Sequence, residues 1–145
     1  MNMFKIGAII VIAIVVILIG MNQYESYKLN SKVNNAIESI TDTQELINKL
    51  KADLSTVKSA IVTERQTRLI GGDPTYINSL SSDDSNLFDK ILLYPIKAGT
   101  SQGKWSRDGN MYMYHIGNYK TISFEYSNKD GSFNCYSNCS LVPYL

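Results

Sequence analysis

INKLKADLSTVKSAI, residues 47–61, carries an apolar side chain at Ile47, Leu50, Leu54, Val57 and Ile61. The steps alternate between three and four residues, so all five fall on one face of an α-helix. Upstream, Leu29, Val33, Ile37 and Ile40 continue the stripe, and Gln44 fills the slot before Ile47. The other faces carry Lys, Glu, Asp, Asn, Ser and Thr, and no proline occurs before Pro74. Thr41, Asp42 and Thr43 are poor helix-interior residues, and Asp42 with Glu45 has capping-box spacing. A continuous helix and two abutting helices both fit this stretch. Gly71-Gly72 is expected to end the helix, because glycine tolerates the left-handed C′ position, and Pro74 prevents resumption.

Further upstream, residues 6–21 read IGAIIVIAIVVILIGM, without a charge. The run is short of the roughly 20 residues that span a hydrocarbon core, and Met3 and Phe4 lengthen it if Lys5 snorkels to the headgroups. No small-x-small cleavage site follows the run, so it reads as a retained anchor rather than a removed signal. The expected arrangement has a cytoplasmic N-terminus and an exported bulk. From anchor to Leu69, a helix would be roughly 95 Å long.

Downstream, residues 73–104 are mixed. Ser79 to Asp84 reads as a polar loop, and Leu87, Phe88, Ile91, Leu92 and Leu93 have helical spacing enough for one or two turns. Tyr94-Pro95-Ile96 is extended, since proline pushes its predecessor out of the α region. The last 41 residues read as a strand meander. Met111 to Ile116 alternate, as do Ile122, Phe124 and Tyr126, and Ser132 to Cys135 is a third strand. Asp108-Gly109-Asn110, Gly117-Asn118 and Asn128 to Gly131 supply the turns. A three- or four-stranded antiparallel sheet with one apolar face needs a cover, and Leu50, Leu54, Val57 and Ile61 can supply it. The expected class is therefore α+β: a long N-terminal helix, apolar at its base and amphipathic above, packed on a small antiparallel sheet. Its parts are an anchor at residues 1–28, a helical stalk at 29–72 that is a candidate for a break near 41–43, and a head at 73–145.

Composition narrows the chemistry. A net charge of +1 draws the chain neither to nucleic acid nor to anionic surfaces. Trp105 and the tyrosines near Lys104, Arg107 and Lys120 are read as packed strand aromatics rather than as a platform for single-stranded nucleic acid. The single histidine, His115, is read as a surface residue on the strand face opposite Tyr112 and Tyr114, with no acid–base constellation around it. Asp83, Asp84 and Asp89 match no calcium-loop spacing and read as solvated loop acids. Cys135 and Cys139 fit a disulfide, a metal pair or two free thiols. An exported head favours the disulfide, and zinc is disfavoured because there is no second ligand pair. No cofactor, metal or enzymatic activity is expected.

An apolar N-terminal helix running into an amphipathic one, followed by an antiparallel sheet and a C-terminal cysteine pair, resembles the type IV pilins and the pseudopilins of type II secretion. Residues that carry the likeness are Ile12 to Leu18 followed by Gln23-Tyr24-Glu25-Ser26-Tyr27, and Val57 to Gln66 with Gly72-Asp73. Leu93-Tyr94-Pro95-Ile96, Gly103-Lys104-Trp105, Phe124-Glu125-Tyr126 and Gly131 to Cys135 add to it. The resemblance implies a structural filament subunit, made at the bacterial inner membrane and assembled with copies of itself or with other pilin-like subunits. Ile9, Ile10, Ile12, Ile14, Val16 and Leu18 would then form the membrane and filament core. One departure stands out: aligned through Gln23-Tyr24, the position where the family carries glutamate holds Lys5. The alternative is a single-pass anchored adaptor or virion membrane protein that joins no filament.

Overall fold

A computed structural model describes residues 3–117 and 119–142, with side chains described from residue 25 onward, residue 27 excepted. The chain divides into two compact units, Met1–Asp42 and Thr43–Leu145. One helix, α1 (Met3–Ile70), is followed by β1 (Asn86–Leu87), β2 (Ile96–Lys97), β3 (Trp105–Asp108), β4 (Met111–Gly117), β5 (Lys120–Tyr126), β6 (Phe133–Ser137) and a 3-10 turn at Cys139–Leu141. The class is α+β.

Helix α1 continues through Thr41–Thr43. Its threonines are satisfied locally: Thr41 Oγ1 donates to the Ile37 carbonyl at 2.9 Å, and Thr56, Thr63 and Thr67 do the same to the residue four back. A threonine hydroxyl that back-bonds in this way stays inside a helix. The helix ends in a Schellman motif. Asp73 N–H donates to the Arg68 carbonyl (2.9 Å) and Gly72 N–H to the Leu69 carbonyl (3.0 Å), with Gly72 left-handed at φ 83°.

The first unit is helical. Leu29, Val33, Ile37 and Ile40 are 63%, 47%, 55% and 69% exposed. Among residues with described side chains, no helix is long and apolar enough to cross a membrane. The run at 6–21, with Ile9, Ile10, Ile12, Ile14, Val16 and Leu18, lies outside them.

The second unit holds the core. Strands β3-β4-β5-β6 form an antiparallel meander in sequence order, and β1 pairs with β2 in a separate small sheet. Register places Trp105 opposite Tyr114, Tyr114 opposite Ile122, Tyr112 opposite Phe124 and Tyr126 opposite Phe133. These side chains share one face and are all buried. Strand β3 was not read from the sequence: Trp105-Ser106-Arg107-Asp108 lacks a run of β-branched or apolar residues, and its pairing with β4 makes it a strand. The apolar residues from Leu87 to Leu93, whose helical spacing suits one or two turns, begin in β1 and form one turn. The N–H groups of Ile91 and Leu92 both donate to the Phe88 carbonyl.

Candidate functional site

Three places bear on function: the helix–sheet core, the loop that closes it, and a cleft at the end of the β4–β5 hairpin.

Leu50, Leu54, Val57 and Ile61 are buried, together with Ile47, in one cluster with Trp105, Tyr112, Tyr114, Ile122, Phe124, Tyr126 and Phe133. Each large apolar side chain removed from water is worth about 1.5–3 kcal/mol. Polar contacts fix the helix against the sheet. Trp105 Nε1 donates to Asp53 Oδ2 at 2.8 Å, the Tyr114 hydroxyl to the Leu46 carbonyl at 3.1 Å, and Lys49 Nζ to the Gly103 carbonyl at 2.7 Å. Burial pushes the Tyr114 hydroxyl up to about 12. Trp105 is wholly buried and offers no stacking surface to a nucleic acid.

The segment read as a polar loop is partly interior. Leu80 and Ser81 are buried. Ser81 Oγ accepts the Phe88 N–H at 2.8 Å and lies 3.0 Å from the Tyr112 hydroxyl. Phe88 is left-handed at φ 62° and stacks on Tyr112, with ring centroids 4.6 Å apart. A buried phenylalanine in this backbone region is costly, and ring contacts with Trp105, Tyr112 and Phe133 hold it there. Only a serine hydroxyl matched to a tyrosine 31 residues away makes the burial tolerable, and local sequence carries no trace of that match.

The loop acids serve the backbone. Asp83 Oδ1 accepts the N–H groups of Ser85 and Asn86, and these bonds hold its carboxyl below the ordinary value. Asp89 is likewise held below the ordinary value by Ser82, through its side chain first and then through its N–H, which donates to Asp89 Oδ1 at 2.7 Å. Asp84 pairs with Arg107 at 3.1 Å. Among the described residues, no group of three or more His, Cys, Asp or Glu side chains is placed to hold a metal. Cys135 and Cys139 form a disulfide, with Cα atoms 5.8 Å apart.

At the far end of β4 lies an open cleft of about 600 Å³, lined by Thr100, Gln102, His115, Tyr119, Lys120 and Thr121. The register shifts between His115 and Gly117, a bulge that re-aims the strand end. His115 is half-buried, its Nε2 lies 2.8 Å from Ser106 Oγ, and burial lowers its pKa. The sequence reading of a plain surface histidine missed this cleft, because its walls come from two separate segments.

No protein-family model matches the chain, and no curated protein or solved structure matches it. The geometry and the residues therefore carry the functional reading by themselves.

Proposed function

We propose that this chain is a structural subunit of a helical filament of the type IV pilus or type II secretion kind, assembling through its N-terminal helix. The observation that supports this is a contrast along one helix. Ile47, Leu50, Leu54, Val57 and Ile61 are buried in the head's own core, while Leu29, Val33, Ile37 and Ile40 stand exposed on α1. Four large apolar side chains at helical spacing need a cover, and the stems of neighbouring copies supply one of matching shape. The pilin resemblance adds the apolar base, Ile9 to Leu18, as the part transferred from bilayer to filament core. Lipid already satisfies those side chains, so assembly draws on van der Waals fit between stems rather than on escape from water. On this reading the chain is not an enzyme, and it binds other pilin-like subunits. It passes from the inner membrane to a periplasmic or extracellular filament.

Cryo-EM of sheared surface filaments, together with crosslinking of single cysteines placed at Ile12 and Leu18, tests the reading. A crosslinked ladder and density fitting the head are expected. A purely monomeric chain with an intact N-terminal methionine overturns it. That outcome favours the second reading, a membrane-anchored adaptor or virion membrane protein, for which Lys5 is the supporting observation. In a low-dielectric filament core its ammonium would sit beside a neighbour's N-terminal amine, an unfavourable pairing.

A further inference from the structure

We propose that the cleft at the end of the β4–β5 hairpin binds an acidic saccharide. In this site the Tyr119 ring stacks on the sugar's C–H face and the Lys120 ammonium holds its carboxylate.

Tyr119 is badly placed for folding. Gly117 pairs with Lys120 across the hairpin end, and Tyr119, inside that turn, is left-handed at φ 62°. Turns of this kind favour glycine or asparagine at such positions, because a Cβ there crowds the backbone. Tyr119 gains nothing in packing to offset this, since its side chain is fully exposed. Strained backbone carrying a large exposed aromatic points to a task outside folding. A tyrosine offers a flat apolar face with a polar tip, which suits a ligand that is apolar on one face and hydroxylated around its rim.

The lining fits such a ligand. Among the described residues, the side chains of Thr100, Gln102, Tyr119, Lys120 and Thr121 make no hydrogen bond or ion pair, so their donors and acceptors are open to a ligand. Gln102 lies beside Gly117, where an added Cβ would stand 3.4 Å from its Cδ. The cleft volume falls within the range of small-molecule sites. Charge sets the class. No carboxylate lines the cleft, and Lys120 contributes an ammonium. His115 Nε2 lies 2.8 Å from Ser106 Oγ, and burial lowers its pKa, which disfavours the charged imidazolium. One cation among hydroxyl and amide groups suits a sugar bearing one carboxylate better than a fully neutral one or a polyphosphate.

The test titrates the full chain in detergent micelles with tetragalacturonate, a hyaluronan tetrasaccharide and 3′-sialyllactose, with maltotetraose and lactose as neutral controls. Binding is followed by amide chemical shifts. The expected result is saturable binding of at least one acidic probe, weakened about tenfold or more in Tyr119→Gly and in Lys120→Gln. Tyr119→Gly should melt at the same or a higher temperature than the parent, which separates lost binding from lost fold. Three results overturn the proposal: no acidic probe binds, neutral probes bind as well as acidic ones, or Tyr119→Gly binds like the parent. The outcome is independent of whether the chain forms filaments.

Discussion

The indole Nε1 of Trp105 donates to Asp53 Oδ2 at 2.8 Å, joining β3 to α1 across 52 residues of sequence. Trp105 is wholly buried, so its N–H has no water to turn to. Asp53→Ala should destabilise the head by about 1–3 kcal/mol, the cost of leaving a buried donor unpaired. Asp53→Asn keeps an acceptor and should lose less. Trp105 is the chain's single tryptophan, so urea unfolding followed by its fluorescence reads this contact directly.

Leu54 and Ile37 belong to the same sequence stripe but differ in surroundings, one buried and the other 55% exposed. Leu54→Ala should cost about 2–5 kcal/mol of unfolding free energy. Ile37→Ala should change the unfolding of the isolated subunit by less than about 0.5 kcal/mol. If α1 packs against neighbouring stems, Ile37→Ala should nevertheless lower filament yield. Urea titration and counting of sheared filaments measure the two effects separately.

Gly131 faces the ring of Tyr76. A Cβ at this position would lie 2.1 Å from Tyr76 Cε1, and the backbone is left-handed at φ 71°. The ring cannot swing away freely, because the Arg65 guanidinium sits over it, 4.6 Å from its centroid. Gly131→Ala should cost about 1–3 kcal/mol through overpacking, with about 1–2 kcal/mol more from backbone strain. Adding Tyr76→Ala should relieve the first part and leave the second. Melting curves of the single and double variants separate the two.

Stability should fall in alkali. Burial pushes Tyr114 and Tyr126 up to about 12 from 10.0, and it raises Tyr112 as well. A tyrosine whose folded pKa is raised contributes stability that is complete below pH 10 and is lost as pH climbs from there through about 12, because the unfolded chain ionises first. Tyr114→Phe and Tyr126→Phe should flatten that slope. Each loses one hydrogen bond, to the Leu46 and Ile77 carbonyls respectively, worth about 1 kcal/mol at neutral pH. In acid, Asp73, Asp83, Asp89 and Asp130 act in the opposite sense. Their carboxyls are lowered chiefly by hydrogen bonds, so their contribution is present above about pH 4 and lost as pH falls through the folded values. Denaturant midpoints across the pH range check both limbs.

What the sequence determined by itself was local. The three-and-four spacing of Ile47 to Ile61 marks a helix, Gly72 marks its end, and the alternation of Met111 to Ile116 and Ile122 to Tyr126 marks strands joined at glycine and asparagine turns. Each of these depends on neighbours a few residues apart, which is the range over which backbone geometry imposes a period. Tertiary structure alone decided which part of the stripe is buried, since Ile37 and Leu54 differ only in what lies across from them. It also made a strand of Trp105–Asp108, buried Ser81 beneath Tyr112, held Phe88 left-handed, and set Tyr119 beside Lys120, Gln102 and Thr100 in one cleft. Those outcomes rest on contacts between residues well separated in sequence, and no periodicity in the chain encodes which distant side chain will arrive.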